Sequence, residues 1–215
     1  MNKIPEIVLQ SIKADLTQID RVSSNTSNVS TPGFKAYLSN NVGINHTQGE
    51  LTKTSRALDI AIEGSGWFVA RNNDALILTR NGQFQISNDG HLVTSSGYVL
   101  QGQSGDIALP GPSFELNQQG EIIIDETYIA QFLTVEPTQN QRSQYNNGEI
   151  YLNSREKLKL SSGNAFRQGY LEQSNVQPSE AVLQLMILNK HTQTMQKTYQ
   201  AYDQMIQKTI SELGK

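Results

Sequence analysis

A chain of 215 residues with no cysteine and a net charge of -3 excludes disulfides, thiolate metal sites and cysteine nucleophiles. It has no block of Lys and Arg that could track a phosphate backbone, so nucleic acid is not an expected partner. Hydrophobic residues make up only 36% and charged residues 17%, and no apolar run is long enough to span a bilayer, so membrane insertion is not expected either.

Met1 to Glu6 contains no apolar core followed by a small-residue cleavage site, so export would have to use a route without a cleaved signal. From there Ile4, Val8, Ile12, Leu16 and Ile19 recur at steps of four and three, one face of an amphipathic helix reaching about Val22. Ser23 to Gly33 turns polar, and Thr31-Pro32-Gly33 is a turn signal, so this segment reads as a loop ending the helix. Residues 36–57 read as a linker.

Residues 58–175 read as an all-β domain of short antiparallel strands. Apolar and polar residues alternate around Phe84 and Ile122, and Asn81-Gly82, Asp89-Gly90, Ser96-Gly97 and Asn147-Gly148 supply tight turns. Pro178 then suits the first turn of a helix, with Glu180 at its positive end. Ala181, Leu185, Leu188, Thr192, Met195, Tyr199, Tyr202, Ile206, Thr209 and Leu213 follow at steps of three and four, a heptad seam over about four repeats. A single helix that long needs a partner in water. The expected architecture is therefore α+β. The long terminal helices (1–35 and 176–215) pair as a coiled coil, with each other or with neighbouring subunits, around the central β domain.

No constellation suggests catalysis. His46, His91 and His191 lack a second ligand at metal-binding spacing and read as surface histidines. Gly64-Ser65-Gly66 is too short for a nucleophile elbow and reads as a turn. Asp125 and Glu126 would face opposite ways on a strand. Lys53, Arg56, Lys157 and Lys159 read as solvated charges, and Trp67 with Phe68 as packing. No enzyme activity, cofactor, metal or small-molecule substrate is expected.

Four ordered motifs carry a resemblance. The first is Ser24 to Lys35, with Asn25, Asn28, Thr31, Gly33, Phe34 and Lys35 at matching positions. The second is Gln48 to Leu51 with Thr54, followed by Leu58 to Phe68. The third is Leu78 to Phe84, continuing from Asp89 to Tyr98. The last is Leu171 to Val176, including Ser174, Asn175 and Val176. Together they span nearly the whole chain, which resembles the flagellar basal-body rod and hook proteins. The resemblance implies a structural subunit exported through the flagellar type III apparatus and assembling helically, with itself and other rod proteins, into the periplasm-crossing rod. The terminal helices and the Ser24–Lys35 and Ser174–Val176 motifs would then supply the assembly surface.

A short 35–49 segment, Gly66-Trp67 and the stretch 105–110 resemble the proximal-rod member more than the distal-rod or hook members. A non-flagellar secreted polymer subunit or a ligand-binding β module are remoter alternatives. Thr26, Ser27, His191, Gln193 and Thr194 depart from the family's usual residues.

Overall fold

The computed structural model describes residues 4–38, 43–72, 75–153 and 157–213, together with the backbone but not the side chains of Ile4 and Leu213. Two compact units emerge. Among the described residues, one comprises 4–27 and 177–213; the other comprises the stretch 28–38 and those from 43 to 176.

The first unit is helical. Helix α1 is Ile4–Ser27 and helix α3 is Pro178–Leu213. At 1.5 Å per residue they are about 36 and 54 Å long. The loop expected from Ser23 begins only at Asn28. Thr26 and Ser27 satisfy their hydroxyls on the preceding turn, Thr26 Oγ1 donating to the Val22 carbonyl (2.8 Å) and Ser27 Oγ to that of Ser23 (3.0 Å). That back-bonding lets a polar sequence remain helical.

The second unit is built from β1 (Leu51–Lys53), β2 (Ile60–Glu63), β3 (Trp67–Asn72), β4 (Ala75–Thr79), β5 (Phe84–Ile86), β6 (Leu92–Thr94), β7 (Val99–Gly102) and β8 (Gly105–Asp106). It continues through β9 (Glu115–Leu116), β10 (Glu121–Ile124), β11 (Thr127–Gln131), β12 (Thr134–Val135), the short helix α2 (Gln139–Arg142), β13 (Tyr145–Asn146), β14 (Glu149–Asn153), β15 (Ala165–Gln168) and β16 (Tyr170–Glu172). The main sheet runs β13-β14-β4-β3-β7-β6-β5, with β12 added to β3 and β8 to β7. β9, β10 and β11 form a three-stranded sheet, and β15 pairs with β2 and β16 with β1. Every described pairing of strands is antiparallel.

The apolar run in β3 reflects burial on both faces. Phe68 and Ala70 enter one core with Ile60, Ile77, Phe84 and Phe132, while Trp67 and Val69 enter a second with Phe34, Leu78, Tyr145 and Ile150. Asn147 (φ 49°) and Gly148 (φ 95°) make the two-residue turn joining β13 to β14. Asp125 (φ 48°) and Glu126 (φ 62°) are not strand residues but a turn of the same kind joining β10 to β11. Asn81-Gly82 makes no hairpin. Gly82 is where two backbones touch: a Cβ there would lie 1.8 Å from the Ile60 carbonyl oxygen.

Residues 36–57 hold a Tyr37–Ile44 bridge and β1, and lie largely in the β unit.

Candidate assembly site

Two groups of residues follow from the sequence, and each is best described within its own unit. In the helical unit α1 and α3 lie side by side. Asp15 and His191 meet at 2.7 Å, and Thr192 Oγ1 donates to the same Asp15 carboxylate at 3.3 Å. Asp15 lies about 18 Å before the end of α1, and His191 about 20 Å after the start of α3.

Along α3 the burial follows the sequence seam closely. Ala181 is buried, and Leu185, Leu188, Thr192, Met195, Tyr202 and Ile206 are half-buried; Tyr199 and Thr209 are exposed. The Tyr202 hydroxyl is enclosed without a hydrogen-bond partner among the described residues. Along α1, Val8 is buried and Ile12 and Ile19 are half-buried. Leu16 is 51% exposed, and Asp15 and Val22 are buried instead. The side chains of Ile4 and Leu213 lie outside the described residues. His191 is thus not a plain surface histidine: it meets a carboxylate that is 9% exposed.

The second group converges inside the β unit on Glu172, a 1%-exposed carboxylate on β16. Lys35 Nζ donates to Glu172 Oε1 (2.6 Å) and to the Thr47 carbonyl (2.8 Å), and Gly49 N–H also donates to Oε1 (2.9 Å). Arg80 Nε donates to Glu172 Oε2 at 2.8 Å. Its remaining guanidinium N–H groups reach the carbonyls of Ile62 (3.1 Å), Gly64 (2.9 Å) and Gly66. The Gly64-Ser65-Gly66 turn is therefore the receptor for a buried arginine. Burial pushes the Lys35 ammonium below its ordinary pKa, and the Glu172 carboxylate opposes that shift.

The surrounding motif residues fix this junction. Gly33 N–H donates to the Glu172 carbonyl at 2.7 Å. With φ +71° it occupies the left-handed region, and a Cβ there would sit 2.3 Å from the Arg80 carbonyl carbon. Phe34 is fully buried beside Tyr37 and Tyr145, and the Lys35 N–H donates to the Tyr145 hydroxyl at 2.7 Å. Burial holds that phenol well above its ordinary pKa. Asn175 accepts from the Ala36 N–H (2.7 Å) and donates to the carbonyls of Asn45 (2.9 Å) and Thr47 (2.8 Å), stapling the 36–47 loop.

Asn28 accepts at its side chain from Thr31 Oγ1 (3.0 Å), Ser174 Oγ accepts from the Val176 N–H (3.3 Å), and Val176 packs on the second core. Asn25, on α1, is buried. Gly33, Phe34 and Lys35 thus lie inside the unit rather than on its surface.

Periodicity and motif position drew attention to Lys35 and Asn175 but not to the roles of Glu172, Arg80 or Asp15. The signal for Glu172 and Arg80 was their membership of the motifs. Asp15 preserves the alternation of four and three through Val8, Ile12, Ile19 and Val22, which Leu16 breaks.

Comparison with known proteins bears on the same segments. The family model for the flagellar hook protein FlgE/F/G D1 domain matches residues 61–131, and that for the flagellar basal body rod FlgEFG protein C-terminal region matches 167–212. The first match contains Arg80; the second contains Glu172, Asn175 and nearly all of α3. The flagellar basal-body rod protein FlgG of Buchnera aphidicola subsp. Schizaphis graminum is 30% identical over 184 residues, covering 78% of this chain and 69% of that protein. FlgF of Caulobacter vibrioides is 26% identical over 227 residues, covering 92% of each. FlgF of Rhizobium meliloti is 26% identical over 239 residues, covering 97% of this chain and 96% of that protein. These matches place the chain in the flagellar basal-body rod protein family of the FlgF and FlgG type.

Proposed function

We propose that this chain is a structural subunit of the proximal flagellar rod, polymerising helically with itself and other rod proteins through its terminal helices. The relatives carry the name of rod proteins, and the role assigned here is structural rather than catalytic. The observation that carries the assembly reading is a second apolar face on α3. Val182, Leu183, Met186 and Ile187 are each about half exposed or more, Met186 reaching 65%, whereas the seam residues Leu185 and Leu188 are half-buried. On α1, Ile7, Leu9 and Leu16 are likewise exposed. A clustered apolar surface of this kind marks an association site. The coiled-coil packing expected of these helices belongs to the assembled state, where neighbouring subunits would cover it.

The Ser24–Lys35 and Ser174–Val176 motifs contribute by anchoring the chain where each helix leaves the β unit. The proximal position is favoured by the short 35–49 segment, by Gly66-Trp67 and by residues 105–110. A distal-rod or hook-type place is the second reading, since relatives named FlgG match at identities comparable to those named FlgF. Delivery to the periplasm through the flagellar export apparatus is part of the same reading; among the described residues no helix is long and apolar enough to cross a membrane.

The test is complementation of a deletion strain. The wild-type gene should restore rod completion and motility. Met186→Asp with Ile187→Asp should yield a folded, exported subunit that builds no rod. Full-length rods from that variant would refute the assembly role, and images of the basal bodies stalled in the deletion strain distinguish proximal from distal.

A further inference from the structure

A small cavity of about 40 Å³ in the β unit is bounded by Lys35, His46, Ser65, Trp67, Arg80 and Arg142. Three basic side chains, Lys35, Arg80 and Arg142, converge on it. Lys35 and Arg80 share one carboxylate, Glu172. Arg142, at the end of α2, donates Nε to the Pro137 carbonyl (2.9 Å) and meets His46 Nε2 through its NH1 group (3.2 Å), with no carboxylate in ion-pair range among the described residues. The nearest carboxylates are Glu172, shared by Lys35 and Arg80, and Glu136, which feels the charge of Arg142 but is ion-paired with Lys159.

Hydrogen-bond capacity is also left over. An ammonium has three donors and a guanidinium five. Lys35 spends two of its three on Thr47 and Glu172, and Arg142 spends two of its five. Burial, with the charges of Arg142 and Lys35, holds His46 below its ordinary pKa. A neutral imidazole accepting at Nε2 carries its proton on Nδ1, one more donor. Ser65 adds a hydroxyl at the rim.

We infer that this cavity is a binding site for one small oxyanion, a carboxylate or inorganic phosphate. The buried Lys35 and Arg80 share a single carboxylate while the half-buried Arg142 has none within ion-pair range among the described residues, and an anion here would be held by charge-assisted hydrogen bonds from groups already in place. A cavity needs about 10–15 Å³ to admit one water, so a space of about 40 Å³ suits an ion of a few heavy atoms and excludes a nucleotide or sugar.

The test uses the full-length chain in low-millimolar sodium phosphate, and separately sodium acetate, against sodium chloride at matched ionic strength. Thermal unfolding should rise by about 3–6 °C at ten times Kd, and titration calorimetry should show one site. Arg142→Gln should lose both signals while keeping the wild-type circular dichroism spectrum. His46→Ala, at an exposed position, should weaken binding several-fold and guards against a misfolded Arg142 variant. Equal melting temperatures in all three salts, or an unchanged response in Arg142→Gln, would overturn the assignment.

Discussion

Glu172 shows what a single side chain can hold together. Its two carboxylate oxygens receive Lys35, Arg80 and the Gly49 N–H, drawing three distant chain segments to one point. Replacing a buried ion pair wholesale by apolar groups can be neutral, but removing one partner strands the others. Glu172→Gln should therefore cost about 3–5 kcal/mol in urea unfolding of the β unit, because two buried cations lose their counter-charge. A loss below about 1 kcal/mol would mean the junction is screened by water, as exposed pairs are.

A second residue-scale effect is exposed and smaller. The Arg71 guanidinium, with the Gln101 amide, holds the Asp106 carboxyl down at about 2, below its ordinary 3.8. A depressed carboxyl stabilises the fold above its unfolded pKa, and that contribution is lost as pH falls from about 4 through about 2. Solvent screening keeps it below about 1 kcal/mol. Asp106→Asn should flatten this part of the pH–stability curve; a curve parallel to wild type would contradict the pairing.

At the scale of elements, the helical unit carries a polar contact inside an apolar seam. Asp15 is 9% exposed at its side chain and is met by His191 and Thr192 from the facing helix. His191→Ala removes the closer partner, leaving the 3.3 Å contact with Thr192. The terminal helices should lose about 1–3 kcal/mol of stability, seen as earlier loss of far-ultraviolet ellipticity and faster proteolysis within α1. The seam on α3 was legible from the 3.5-residue rhythm alone, because one helical period places Leu185, Leu188, Met195 and Tyr202 on one side. On α1 both Leu16 and Asp15 fit helical spacing, and hydrophobicity favours the wrong one. Only the facing helix, with His191 opposite, explains why the polar residue turns inward. The extension of α1 to Ser27 was hidden for a related reason: Thr26 and Ser27 are poor helix formers until their hydroxyls bond back to the preceding turn.

At the scale of the whole molecule, the two units should respond separately. Leu185→Asp places a charge at a half-buried seam position, costing several kcal/mol in the helical unit. The β unit, with its own two cores, should keep its unfolding midpoint. Tryptophan fluorescence reports on the β unit through the buried Trp67, the chain's single tryptophan, and circular dichroism at 222 nm on the helices. A common shift of both signals would show that the units unfold as one.

Local chemistry was sufficient for much of this protein. Helical period marked the buried face of α3. Asn147-Gly148 marked a hairpin because few other pairs adopt positive φ at both positions. Four ordered motifs pointed to the rod family. The sequence could not say why those motifs contain the residues they do, because the partners lie far apart along the chain. Lys35 and Glu172 are 137 residues apart, and Arg80 and Glu172 are 92. Folding alone brings them together, and burial turns three ordinary surface residue types into a charge-paired junction.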